Sequence, residues 1–170
     1  MSIRPATDSD HDAIWKIFHE VIAAGETYPI VSSISREDAI AYWFQPGAYP
    51  HIAELDRLNR SSSEGTNRIV GAYTLHPNQS GGGAHVANAA FIVAAHARGQ
   101  GIGRAMGEHC LNEARRLGFR AMQFNFVVST NAAAVKLWQE LGMKIVGTLP
   151  GAFRHPTKGY VDVYVMFRSL

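Results

Sequence analysis

The sequence predicts an α/β fold of the mixed (α+β) kind: a central, mixed, twisted sheet of about seven strands with helices on both faces. Three observations predict it. Val86 to Ala94 and Ala121 to Val128 are almost wholly apolar, as strands covered on both faces are. Between them lie a glycine-rich turn and an amphipathic helix, so a strand, turn, helix and strand follow in succession. The other segments alternate between helical and extended periods, giving the order β-α-α-β-β-β-α-β-α-β-β. At 170 residues with 46% hydrophobic content, the chain fits one domain, 1–170, with a sizeable core.

Each element has a local cause. Ile14, Ile17, Phe18, Val21 and Ile22 recur at helical spacing behind Asp8, Ser9 and Asp10, any of which can cap an N-terminus, and Gly25 closes the run. Ser35 and Asp38 open a short second helix through Ile40, Trp43 and Phe44; Pro46-Gly47 stops it, because proline lacks the amide that continuation needs. His51 to Leu55 and Arg68 to His76 read as a hairpin whose loose tip, DRLNRSSSEGTN, is too polar to bury. After the flexible turn PNQSGGG and the strand from Val86, the residues Met106, Cys110, Ala114 and Leu117 mark a helix ending at Gly118. Ala121 to Val128 follows, then a helix over Asn131 to Leu141 with Ala134, Trp138 and Leu141 on one stripe, stopped by Gly142. Two last strands, Lys144 to Leu149 and Tyr160 to Phe167, flank a polar loop.

Bulk properties exclude several function classes. Lys and Arg number 16 against 14 Asp and Glu, a net charge of +2, which is too balanced for general nucleic-acid or membrane-surface binding. No export signal or membrane span is visible, so a cytoplasmic location is expected. The single cysteine, Cys110, allows no internal disulfide and sits on an apolar helix face as a small core residue. The 8 histidines, His11, His19, His51, His76, His85, His96, His109 and His155, share no ligand spacing beyond the helical pair His11 and His19, so no metal is expected.

The stretch VAAHARGQGIGRA, residues 93–105, carries the chemistry. Glycines at 99, 101 and 103 let a ligand approach the backbone, and the first amides of the following helix lack partners within it, so the turn favours an anion such as phosphate. Arg98 and Arg104 would add charge-assisted hydrogen bonds of roughly 1.5 to 3 kcal/mol each if desolvated. A Walker A loop needs Gly-Lys-Ser/Thr, but Arg104 and Ala105 follow Gly103. The dinucleotide fingerprint needs a glycine at 104 and an acid at the end of the next strand, and neither is present. A turn that merely tightens a strand-to-helix connection is the remaining bland alternative.

RGQGIG matches Arg/Gln-x-x-Gly-x-Gly. Together with IRPATDSDHDAI near the start and NAAAVKLWQELGMKIVG later, it resembles the GCN5-related N-acetyltransferases (GNAT), with segments in the right order over essentially the whole chain. The resemblance implies the GNAT fold with splayed central strands and acetyl-coenzyme A (acetyl-CoA) as cosubstrate. It also implies backbone pairing of Phe91, Ile92 and Val93 with the pantetheine arm. The loop Arg98, Gly99, Gln100, Gly101, Ile102, Gly103 and Arg104 would hold the pyrophosphate, with Asn131 and Trp138 beside the cofactor. Glu26, Thr27 and Tyr28 would shape the acceptor side. Family precedent suggests a homodimer.

The sequence departs from the family at Trp138, where many members carry a tyrosine that protonates the departing thiolate. An indole N–H is no usable acid. Either Trp138 packs beside the pantetheine while the thiolate leaves unaided, or the protein is a non-catalytic coenzyme A binding module. Asn88 and Asn125, polar within apolar strands, could hydrogen-bond a substrate carboxylate or the thioester carbonyl, a contribution of about 2.7 to 4 kcal/mol per donor. Alternatively they bridge loops or waters, and Asn131 caps its helix. The segment from Asn88 to Trp138 is similar to the fungal branch that acetylates azetidine-2-carboxylate and related proline analogues, whose matching asparagines recruit substrate. The expected partner is a small amino-acid-like amine attacking directly in a ternary complex; protein or peptide N-terminal acetylation is the alternative. Glu26, His85, His155 and Tyr160 are conceivable bases.

Overall fold

The computed structural model describes residues 1–55 and 69–170, so the loose hairpin tip and Arg68 lie outside the described residues. The elements are β1 (Ser2–Pro5), α1 (His11–Ala23), α2 (Arg36–Trp43), β2 (Tyr49–Glu54), β3 (Ile69–Pro77) and β4 (Val86–Val93). They continue with α3 (Ile102–Arg116), β5 (Ala121–Val128), α4 (Ala132–Glu140), β6 (Lys144–His155) and β7 (Gly159–Ser169). The caps act where the sequence put them. Ser35 Oγ accepts from the Asp38 N–H at 3.0 Å, and Asn131 Oδ1 accepts from the Ala134 N–H at 3.2 Å.

The sheet has 7 strands in the order β1-β2-β3-β4-β5-β7-β6. Every neighbouring pair is antiparallel except β4 and β5, which are parallel. That parallel pair holds for only two positions, Val86 with Ala121 and Ala87 with Met122, and then the strands part. On the far side of β5 the register with β7 shifts between Phe124 and Val127, the mark of a bulge that bends a strand away from its neighbour. The splayed centre implied by the resemblance is therefore present. Both α1 and α3 pack on β3 and β4, and between them Ile14, Phe18, Tyr73, Leu75, Met106 and Cys110 are fully buried.

Two expectations need correction. In β4 only Ala87, Ala90 and Ile92 are buried; Asn88, Ala89, Phe91 and Val93 are half-buried, because they border the gap that opens towards β5. The stretch expected as a polar loop after Leu149 is mostly strand: Phe153, Arg154 and His155 pair with Val161, Tyr160 and Gly159. Pro150 and Gly151 masked the alternation, and they fall inside the register shift between Leu149 and Phe153. Phe153 there joins Val128 and Val163 in a small second core. Among the described residues no helix is long and apolar enough to cross a membrane.

One polar knot ties the first strand to the rest. Arg4 donates to both carboxylate oxygens of Asp10 (2.8 and 2.9 Å) and to Glu54 on β2. Asp10 Oδ2 also accepts from the Thr7 N–H at 2.8 Å. The Arg4 bond, and then Thr7, hold the Asp10 carboxyl at about 2, below its ordinary 3.8. A depressed carboxylate stabilises the fold fully above its unfolded value and loses that contribution as pH falls through its folded value. Asp10→Asn should therefore cost about 1 to 3 kcal/mol in urea unfolding at pH 7. It should also flatten the loss of stability between about pH 4 and 2 relative to the parent protein.

Candidate active site

Beyond Ala87 the two central strands diverge into a cleft of about 770 Å³, a volume typical of small-ligand sites. The loop after α1 contributes Glu26, Thr27 and Tyr28, and β4 contributes Asn88 to Val93, with Arg98 just beyond it. From the other side come Phe124 and Asn125 on β5, Asn131 and Trp138 on and before α4, and His155 and Lys158 on the last hairpin.

The inner edge of β4 would be left with unpaired backbone groups, which are costly when buried. Ala94 N–H turns away to Val70 C=O at 2.9 Å, so the odd-numbered residues are the ones that face the gap. Side chains satisfy three of these backbone groups. The Ala89 N–H donates to Asn88 Oδ1 at 2.8 Å. The Phe91 N–H donates to the Tyr28 hydroxyl at 3.0 Å, and that hydroxyl donates in turn to the Phe91 carbonyl at 2.8 Å. Burial, reinforced by Tyr42, pushes the Tyr28 phenol far above its usual value, so it stays a neutral donor.

The asparagines meet the cleft from opposite strands. Asn88 spends its oxygen on Ala89, which leaves Nδ2 without a partner among the described residues. Asn125, at the β5 bulge, donates to Asn78 Oδ1 at 2.6 Å and accepts from Gln123 Nε2 at 2.8 Å. Asn131 lines the cleft while its side-chain oxygen caps α4.

Gly99 and Gly101 adopt φ of +75° and +79°, a region closed to most side chains. The turn leaves the amides of Gly99 through Arg104 without backbone acceptors among the described residues; the first to bond back is Ala105, to Gly101 C=O at 3.0 Å. Arg98 lines the cleft and forms no ion pair among the described residues. Arg104 departs from expectation: it pairs with Glu140 and lies 4.0 Å from Glu108, so its charge is already compensated. Ile102 is buried at 2% exposure, so the backbone is its contribution to the turn. Gln100 Nε2 donates to the His96 carbonyl at 3.1 Å, which pins the turn. Gly99 to Arg104 do not themselves line the cleft; they continue from Arg98 at its end.

Trp138 closes the wall between the strands, with ring centroids 4.8 Å from both Phe91 and Phe124. Of the conceivable bases, His85 and Tyr160 do not line the cleft, and Tyr160 is 76% exposed. His155 does line it, but its Nδ1 accepts from the Thr157 N–H at 3.2 Å. The neutral ring therefore carries its proton on Nε2 and acts as a donor. Glu26 remains, lining the cleft. Cys110 is buried, and burial pushes its thiol well above the usual range, away from nucleophile duty.

Sequence reasoning passed over Asn78 and Lys158. Asn78 sits in the turn PNQSGGG, and no spacing links it to Asn125. Lys158 looked like loop polarity until the hairpin turned it to the cleft.

Unpaired amides at a helix start and a strand gap of pantetheine shape fit acetyl-CoA. The acetyltransferase (GNAT) family model matches residues 15–143. An N-acetyltransferase of Schizosaccharomyces pombe, aca1, is 30% identical over 151 residues, 85% of this chain and 72% of that protein. The structure of a GCN5-related N-acetyltransferase from Kribbella flavida superposes with a TM-score of 0.89 at 44% identity, covering 99% and 97% of the two chains. A phosphinothricin acetyltransferase from Sinorhizobium meliloti, crystallised with acetyl-CoA, shares the fold at a TM-score of 0.84 and 18% identity, over 99% and 88% of the chains. The chain belongs to the acetyltransferase (GNAT) family. It is an N-acetyltransferase, and acetyl-CoA is its cosubstrate.

The approach of α3 to α4 sets the Trp138 wall. A Cβ on Gly107 would lie 2.6 Å from Leu141 and 3.1 Å from Trp138. Gly107→Ala should cost about 1 to 3 kcal/mol of stability through overpacking, and a shift in indole fluorescence should show that Trp138 has moved.

Proposed function

We propose that this N-acetyltransferase acts on the amine of a small amino-acid-like metabolite, with proline analogues such as azetidine-2-carboxylate as its first-choice acceptors. The supporting observation is the single cleft that Asn88 and Asn125 enter from the two diverging strands. Once the pantetheine arm takes its share of about 770 Å³, the remaining room suits a metabolite better than a peptide. Bound there, acetyl-CoA supplies a thioester for direct attack by the amine, so no acyl-enzyme is needed.

The proposed roles follow from the free groups. The backbone of Val93, with that of Phe91 once its bonds to Tyr28 are exchanged, pairs with the pantetheine arm, while Ile92 between them keeps its backbone turned to β3. The amides of Gly99 to Arg104, with Arg98, hold the pyrophosphate. Asn88 Nδ2 and Asn125 meet the reacting carbonyl or the acceptor, Asn125 by exchanging its bond to Asn78. Trp138 packs against the thioester end, and a thiolate whose acid has a pKa of about 8.5 leaves without a dedicated donor. We also read the enzyme as a homodimer, which fits the exposed Val146 and Leu149 on the edge strand β6.

Two measurements test this. Tyr28→Phe removes the hydroxyl that competes for the Phe91 N–H and carbonyl, so acetyl-CoA should bind about 3- to 10-fold more tightly by calorimetry. Free thiol release from acetyl-CoA, followed across L-azetidine-2-carboxylate, L-proline, primary amines and an N-terminal peptide, should be strongest with the cyclic imino acids. Asn125→Ala should lower kcat by about 100-fold while acetyl-CoA binding persists. Release with primary amines or the peptide alone would refute the acceptor assignment, and binding without any release would favour a coenzyme A binding module.

A further inference from the structure

The cleft has a charged end that the donor assignment does not use. It forms where the loop after α1 meets the turn of the β6–β7 hairpin: a Cβ on Gly25 would touch Pro156 at 3.7 Å. Glu26 and Thr27 line the cleft from the loop, and His155 and Lys158 line it from the hairpin.

Each of these side chains keeps a polar group unengaged among the described residues. Neither Glu26 nor Lys158 has an ion pair or hydrogen bond among the described residues, although their charges are opposite and their loops touch. Thr27 Oγ1 is buried and has no hydrogen-bond partner, a state that normally requires an explanation. His155 is 5% exposed, and with Nδ1 engaged by Thr157 it offers an Nε2–H donor. The remaining unpaired cation of the cleft, Arg98, belongs to the glycine-turn end. Opposite charges held apart at one mouth, with an orphaned hydroxyl beside them, complement a ligand that carries both signs on a short frame.

We propose that this end is an amino-acid clamp: Lys158 Nζ and the His155 Nε2–H take the acceptor's carboxylate, while Glu26 and Thr27 Oγ1 take its amine. The clamp rests on the acceptor assignment made above and deepens it. The chemical class is a zwitterionic α-amino or α-imino acid, and the carboxylate is required as well as the amine. The two halves sit on different elements, so closing on one small molecule ties the loop to the hairpin.

The test uses the full chain with acetyl-CoA and compares L-azetidine-2-carboxylate with its carboxamide, reading kcat/KM from thiol release. The wild type should prefer the acid by about 10- to 100-fold, the scale of a charge-assisted pair. Lys158→Gln should bring the acid-to-amide ratio to within about 2-fold of one, and Lys158→Arg should restore most of it. Glu26→Gln should raise KM for both probes alike, because both carry the amine. Equal use of acid and amide by the wild type, or an unchanged ratio in Lys158→Gln, overturns the clamp and leaves acetylation of small amines standing. Turnover confined to amines that lack a carboxylate, or no turnover of either probe, overturns the acceptor assignment and the clamp together.

Discussion

Everything in this molecule depends on two parallel strands that stop pairing after two residues. A sheet interior cannot hold unpaired amides and carbonyls without cost, so the parting of β4 from β5 has to be built and then maintained. The β5 bulge bends one side away, and β7 follows β5 through the register shift, so pairing is kept on the outer edge while it is lost on the inner one. On the inner edge, the Tyr28 hydroxyl and the Asn88 side chain take three of the groups that a neighbouring strand would have taken. Phe91, Phe124 and Trp138 fill the closed end of the wedge.

The helices carry the second half of the design. α3 begins at a left-handed glycine, and its first amides stay free, which concentrates partial positive charge where the gap ends. α4 begins beside the same cleft, but there Asn131 takes the Ala134 N–H, so its start is capped in part where that of α3 is left without a side-chain cap. The difference comes from residue type: an asparagine accepts from its own helix, and a glycine has no side chain with which to do so. Away from the cleft, the Tyr73 hydroxyl meets His109 Nδ1 at 2.7 Å under α3, a polar pair that serves packing.

Local patterns carried much of this into the sequence. Helices with a clean apolar stripe were legible, as were the strand Ala121–Val128 and the glycine turn, because each is decided by neighbours within a few residues. The family motif added what period alone cannot give, the splay. What was hidden depends on pairs far apart in the chain. Asn125 needed Asn78, Arg104 needed Glu140, and Tyr28 needed Phe91, partners 47, 36 and 63 positions apart in the chain. The β6–β7 hairpin was hidden for a different reason: Pro150 and Gly151 imitate a loop, while the cross-strand partner of Phe153 lies on β7.

The Tyr28 hydroxyl has a consequence for the energetics of recognition. Because the Phe91 N–H and carbonyl are already bonded within the chain, an extended ligand entering the gap trades one set of hydrogen bonds for another and gains little net free energy there. The gap therefore acts as a geometric filter for thin, extended molecules. On the proposed donor assignment, the tightness of holding is decided elsewhere, at the uncompensated amides of the glycine turn. On that assignment shape and affinity rest on different parts of the site, the strand gap and the turn that continues from its end, so either can drift during evolution without spoiling the other.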